Sequence, residues 1–444
     1  MSNNPVKLTA SLSLTSVVLF GLAYMAPSLV LVIFGVIAQV SSGTAPSAFL
    51  LATGAMLLSA LSYAKMARLF PVSGSAYFYA RQMLGSQLGF LVGWLILLDY
   101  LFMPMVAWLV QSVFLNVQFP AIPVWAWMLI NIVLTTLVNI LGLSLADRTN
   151  KLLTGLGIVL VLLFVVFCLI FLGHEPPVSL TEPLWNASST LVGVSAAAAV
   201  AAYSYLGFDA VTTMAEDTRD AKRNIPRAVV LVMATAGLLF ALVAYIMQLV
   251  HPGGVFEDAQ IASYLMSVEV GGQAFADWLN LGFIVSGFAS GLIVQLSTSR
   301  LLYFMGRADV LPRPLFGTLH PRTRTPVFNL LFTSVIGLIG LNITVEMATS
   351  FINFGAFLGF TAVNLCVICY FYRTRRTRRL GLFGYLLFPL LGMCVNLYLV
   401  SQLSSTAITI GLCWLAIGVI YLIWLTRGFR RSAPELNMTE RAGG

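Results

Sequence analysis

Hydrophobic residues come in long runs along this chain, and the polar residues gather between them. A helix needs about 20 mostly apolar residues to cross the hydrocarbon of a bilayer. The runs therefore predict crossing helices near 14–38, 46–66, 87–117, 124–145, 152–173 and 189–214. A second set falls near 227–250, 274–305, 325–343, 346–372, 384–402 and 407–426. The longest stretches between runs, near 251–273 and 306–324, are too short to bury a core of their own. The pattern predicts an all-α membrane protein of about twelve transmembrane helices, with polar tails at 1–13 and 427–444. The first run is longer than the apolar core of a signal peptide and many more spans follow it, so it reads as a span.

Composition agrees: 59% of residues are hydrophobic and 9% charged, against about 25% charged in a soluble domain. A surface facing lipid removes the need for a polar coat. The charges add direction. With twelve spans, every Lys and Arg falls on one side: Lys7 in the tail, Lys65, Arg68 and Arg81 after span two, Arg148 and Lys151 after span four. Arg219, Lys222, Arg223 and Arg227 follow span six, and Arg373 to Arg379 follow span ten. Basic loops stay in the cytoplasm. Both termini are thus expected inside, in a bacterial inner membrane. The net charge of +8 then reflects topology and contact with anionic lipid, with no call for nucleic acid. Cys168, Cys366, Cys369, Cys394 and Cys413 all fall within spans and read as small packing residues. No metal site or cofactor is expected.

Spans one and six carry matching interruptions. Span one reads Gly21-Leu-Ala-Tyr-Met-Ala-Pro27-Ser28, and a proline lacks the backbone N–H that a helix interior needs. Span six reads Ala201-Ala-Tyr-Ser-Tyr-Leu-Gly207-Phe208-Asp209. A simple kink explains either one alone. Together they predict two five-helix halves of opposite orientation, 14–173 and 189–372, with accessory helices at 384–426, as in inverted-repeat transporters.

Two carboxylates, Asp99 and Asp209, look truly intramembrane rather than at a span end, and charge there is expensive and usually functional. Asp99 sits about 12 residues into span three, about 18 Å along the helix and near mid-membrane. Tyr100 beside it offers a hydroxyl and a π face, which together suit a cation. Asp209 follows the break in span six and is placed to accept an ammonium or a coupling proton. The alternative is structural: a hydrogen-bonded packing Asp99, and an Asp209 paired with the basic loop. Tyr24, Tyr203, Tyr205 and Phe208 flank the breaks and are candidate cavity walls. The mixed cluster Glu216, Asp217, Arg219, Asp220, Lys222 and Arg223 reads as a solvated loop. No phosphate loop, HExxH or GxSxG motif is present, so an enzyme is not expected and transport draws on a gradient rather than ATP.

These residues carry a resemblance. Gly21-Leu-Ala-Tyr-Met-Ala-Pro27, Phe70-Pro-Val-Ser-Gly-Ser-Ala-Tyr77 and Gly89-Phe-Leu-Val-Gly-Trp94 with Leu98-Asp99-Tyr100 are similar to stretches of the amino acid/polyamine/organocation superfamily. So are Leu206-Gly-Phe-Asp-Ala-Val-Thr-Thr213, Ser299-Arg-Leu-Leu-Tyr-Phe-Met-Gly-Arg307, Arg324-Thr-Pro326 and Ile352-Asn-Phe-Gly355. Within the superfamily, the chain most resembles bacterial putrescine importers. The resemblance implies a central substrate site from spans one, three, six, eight and ten, usually with proton coupling. By position it assigns Tyr24, Ala26, Pro27 and Ser28 to the first unwound segment, and Tyr203 to Asp209 to the second. Two departures stand out. The importers carry an acid in a Phe-Asp-Thr-Phe-Gly stretch after the first break, where this chain has Leu31-Val-Ile-Phe-Gly35. Some amino-acid members place a lysine in span five, where this chain has Gly155-Leu-Gly157.

The expected function is import of a small amine, putrescine or a relative, by proton symport with alternating access. Asp99 would hold one ammonium, and Asp209 the second charge or the proton. The near alternative is an amino-acid permease of the same superfamily. A channel or membrane sensor is the alternative of another class.

Overall fold

The computed structural model describes residues 12–433, apart from 73–74, 142–146, 216–217, 308–309, 324, 376 and 378–379. Among the described residues, nine helices are long and apolar enough to cross a membrane. Shorter apolar helices lie at Leu29–Val40, Val124–Ile140 and Val327–Asn342. The twelve expected runs fall on these helices together with Leu14–Tyr24, apart from 142–145, which lie outside the described residues.

Span one is two pieces, α1 (Leu14–Tyr24) and α2 (Leu29–Val40). Span two is α3 (Ala45–Leu69), with a proline in its first turn where no N–H is needed. A short helix the hydropathy did not reveal, α4 (Ser75–Leu84), then leads into span three, α5 (Ser86–Gln118). Spans four and five are α6 (Val124–Ile140) and α7 (Asp147–His174). Span six opens as α8 (Leu191–Ala201), whose start is capped by Thr190 Oγ1 accepting from the Gly193 N–H at 3.0 Å. It continues as 3₁₀ turns at Ala202–Tyr205 and Ala210–Met214. Span seven is α9 (Ala221–Val250).

The span proper of span eight begins just after Gly272, near the expected 274. Its helix α10 (Ala262–Arg307) begins earlier and holds a non-helical Gly272, which separates a leading segment from the span proper. The short helix α11 (Arg313–Phe316) precedes span nine, α12 (Val327–Gly337), which tightens into a 3₁₀ stretch at Leu338–Asn342. Span ten is α13 (Val345–Thr374). Span eleven is α14 (Phe388–Ser401), entered through a π turn at Phe383–Leu387, and span twelve is α15 (Ser405–Leu425).

The packing pairs each of spans one to four with the one five later, while α7 lies against α9 and α10. The halves of span one meet those of span six, α3 lies along α9, α5 along α10 and α6 along α12. Two repeats related by an axis in the membrane plane produce such pairings. Spans eleven and twelve stand outside this set, against α3, α5 and α13.

Apolar burial alone does not hold helices together in lipid, because the lipid is equally apolar; close packing and polar pairs do so instead. Asn139 donates to Gln295 Oε1 at 2.9 Å and to the Leu292 carbonyl at 3.1 Å. Gln295 donates in turn to Thr136 at 2.8 Å and Ser334 at 3.1 Å. These bonds join spans four, eight and nine. Ser59 of span two accepts from Asn364 of span ten and Asn396 of span eleven, at 3.2 and 2.9 Å. Trp94 and Trp414 join spans three and twelve. Each indole N–H donates to the other's backbone carbonyl at 2.9 Å, with rings stacked 4.8 Å apart. Leu134, Leu137, Leu412, Ile417 and Ile420 face outward, as lipid contact requires.

Candidate functional site

The first break follows from its residues. α1 stops at Tyr24, Ala26 takes a left-handed φ of +43°, and α2 resumes at Leu29. Pro27 lacks the N–H that would continue the helix. In the second break Leu206 is extended and Gly207 has φ +111°, a conformation that favours glycine. The two breaks touch. A Cβ on Gly207 would lie 2.2 Å from Cδ1 of Tyr24, so only a glycine lets the tyrosine ring rest on this backbone.

Breaking a helix frees carbonyls, and the structure satisfies several. The Asn353 Nδ2 of span ten donates to the Ala199 carbonyl at 2.7 Å, close to the end of α8. In span three, Pro104 cannot donate to the carbonyl four residues back, that of Tyr100. Thr298 of span eight supplies the missing donor, its Oγ1 lying 2.6 Å from that oxygen. The backbone beside Asp99 is thus held by another span.

Asp99 and Asp209 are close enough to act on each other's charge, and both act on Tyr24. The hydroxyls of Tyr24 and Tyr100 face each other, and Asp99 also acts on Tyr203. Asp209 and Asp99 differ in what meets them. The backbone amides of Gly207, Asp209 and Ala210 face the Asp209 carboxylate. By contrast, Oδ1 of Asp99 is buried with no hydrogen-bond partner.

Tyr24, Ala26 and Ser28 are shared by two adjoining lobes of a cavity, along with Met103 of span three and Ser286, Ser290 and Val294 of span eight. One lobe, about 140 Å³, runs toward the basic loops and adds Phe20, Pro27, Leu153, Gly157 and Ser297. The other, about 130 Å³, runs the opposite way along span three from Met103 to Phe114 and includes Tyr203 and Gln111.

Of the residues singled out from sequence, Tyr24, Ala26, Pro27, Ser28 and Tyr203 line these lobes. Asp99, Tyr100 and Asp209 adjoin Tyr24 without lining either lobe. Tyr205 and Phe208 turn elsewhere. The Tyr205 hydroxyl lies 2.8 Å from Thr53 Oγ1 and donates to the Phe49 carbonyl at 3.1 Å, both on span two. Phe208 packs edge-on against Tyr63 and tilted against Phe360, with centroids 5.4 and 5.0 Å away. The lining from span eight was not singled out. Ser286 and Ser290 stand four apart on one helical face, a signal that small-residue spacing offers. Glu216 and Asp217 lie outside the described residues.

A membrane carrier built around two interrupted helices is the class that this fold and site define. The family model described as amino acid permease matches residues 10–429, and the chain belongs to that family. The low-affinity putrescine importer PlaP of Escherichia coli K12 is 35% identical over 97% of this chain and 96% of its own length. The branched-chain amino acid permease BcaP of Bacillus subtilis is 26% identical, over 85% and 84% of the two chains. Among solved structures, a mutant of the manganese transporter of Eremococcus coleocola superposes with a TM-score of 0.57 at 14% identity. That match covers 94% of this chain and 95% of the other, and it speaks for the fold alone.

Proposed function

We propose that this protein is a secondary active importer of a small organic amine, putrescine or a close relative, working by proton symport with alternating access. The observation that carries the proposal is Asp99. Its Oδ1 is shut away from solvent without a partner, next to Tyr24, Tyr100 and Tyr203. A buried carboxylate oxygen is costly to leave unpaired. An ammonium answers that need, and the tyrosine faces suit its charge and methylenes. The likeness to a putrescine importer points the same way.

Asp209 serves as the coupling group in this reading. It sits where span six has lost its helix, so movement of the break changes which backbone amides reach it. Proton uptake by one carboxylate also relieves the repulsion between Asp99 and Asp209. The half-helices swing about Ala26 and Gly207, opening the site first to one face and then to the other. The basic loops and both termini then face the cytoplasm, in a bacterial inner membrane.

One observation favours an amino acid as cargo. The N-terminus of α2 has no side-chain cap; although the N–H groups of Leu29, Leu31 and Val32 bond to backbone carbonyls, the positive end of a helix dipole suits a carboxylate. Competition separates the readings. With the protein in proteoliposomes, excess putrescine and cadaverine should suppress labelled putrescine uptake, and excess leucine should leave it intact. Uptake of labelled leucine with no uptake of any amine would transfer the protein to the amino-acid branch.

A further inference from the structure

The face of α5 that carries Asp99 becomes apolar within one turn. Met103, Val106, Ala107, Val110 and Phe114 follow Asp99 at helical spacing. All five line the lobe of about 130 Å³. Val32, Leu206 and Phe283 close its other walls with hydrocarbon. Among the described residues, no charged side chain lines either lobe.

The polar groups of this lobe gather at its Asp99 end. Tyr24, Ser28, Ser286 and Ser290 line both lobes and so stand at their junction. Tyr203 lies within reach of the Asp99 charge. Farther along stands Gln111, whose Nε2 is spent on the Ile284 carbonyl at 3.1 Å and whose Oε1 is buried. Asp209 is already met by the backbone amides of Gly207, Asp209 and Ala210. One ammonium therefore finds a free carboxylate, at Asp99. A second ammonium farther along α5 meets hydrocarbon, where an unpaired charge is costly, whereas each methylene placed there gains affinity.

Length decides which molecules feel the difference. The nitrogens of an extended four-carbon diamine are about 6 Å apart. Putrescine thus keeps its second nitrogen near the level of Met103, about 6 Å of rise from Asp99, among the junction hydroxyls. A six-carbon diamine spans about 9 Å, which carries its second nitrogen toward Val106 and Ala107, about 10 to 12 Å of rise from Asp99. The lobe is close in size to an apolar cavity of about 150 Å³ that holds a benzene ring.

We infer that this lobe receives the uncharged hydrocarbon tail of a monoamine whose ammonium is held at Asp99, so that the carrier selects long-chain monoamines over diamines of the same length. The inference rests on the amine reading above and sharpens its substrate class. Putrescine remains a substrate because it is short enough to stop at the junction.

Calorimetric titration of detergent-purified, full-length protein at about pH 7, where alkylammonium groups stay charged, tests the tail site. n-Heptylamine and 1,6-diaminohexane are equally long and differ only in a terminal methyl against a terminal ammonium. Heptylamine should bind about tenfold more tightly, and affinity from propylamine to heptylamine should climb about fourfold per methylene. Ala107→Leu fills the lobe and should cut the advantage of heptylamine over propylamine by about tenfold. The wild-type pair decides even if that variant fails to fold. A diamine that binds as tightly as heptylamine, or a folded Ala107→Leu protein with the full wild-type advantage, overturns the tail site and leaves amine import standing. Wild-type protein that binds leucine and no amine overturns the amine reading itself.

Discussion

The carbonyl of Tyr100 illustrates how a single residue sets up its neighbour. Pro104 removes the N–H that would hold this carbonyl, and the Thr298 hydroxyl replaces it across the span three to span eight contact. Thr298 is a positioning residue in this account, since it holds the backbone next to Asp99 and touches no proposed substrate. Replacing it with valine strands the carbonyl and should cost about 1–3 kcal/mol. In a Pro104→Ala background an amide is again available to that carbonyl, and the same substitution should cost clearly less. Thermal unfolding of the four detergent-purified proteins measures the coupling. Equal losses in both backgrounds would show that the Thr298 bond does not depend on the missing amide.

At the level of elements, the breaks rest on close backbone approach. Gly207 combines a φ of +111° with a Tyr24 ring where its Cβ would be. A Gly207→Ala protein meets both backbone strain and overpacking, together about 2–4 kcal/mol. It should unfold at a markedly lower temperature and transport poorly. A Gly54→Ala protein, whose added methyl meets open space, should behave as the wild type. Loss of the same size at both glycines would contradict the packing argument.

The spans were legible because length and apolarity suffice to predict a crossing helix, and the breaks because Pro27 and Gly207 leave little choice of backbone. Other elements were not legible for physical reasons. α4 is too short and too mixed in polarity to stand out by hydropathy. Tyr205 and Phe208 lie where a 3₁₀ turn and an extended Leu206 reset the facing of side chains, so helical periodicity no longer tells which way they point. Both turned into packing, against span two and the Tyr63 cluster.

For the whole molecule, charge is distributed by face. Glu175, Glu182, Glu257, Asp258, Glu269, Asp277 and Glu346 lie toward the ends of spans that carry no Lys or Arg, and the basic residues lie toward the other ends. A face of one sign attracts ions of the other and raises their local concentration. If amines approach from the acidic face, their capture weakens as salt screens it. Raising ionic strength from about 0.01 to 0.15 M shortens the screening length from about 30 to 8 Å. The KM for a diamine should then rise several-fold, while that of any neutral substrate stays level. A diamine KM indifferent to salt would remove this contribution of the surface.

The central claim is that Asp99 receives the ammonium of an amine that a proton gradient drives across the membrane. The direct measurement is accumulation of labelled putrescine in proteoliposomes under an imposed pH gradient, acidic on the side of entry. It compares wild type with Asp99→Asn, both checked for the same elution in detergent. The account predicts concentrative uptake by the wild type, abolished by a protonophore. It predicts at least a tenfold loss in the variant, as removal of a buried ion-pair partner implies. Wild-type kinetics in Asp99→Asn, or accumulation indifferent to the gradient, would contradict it.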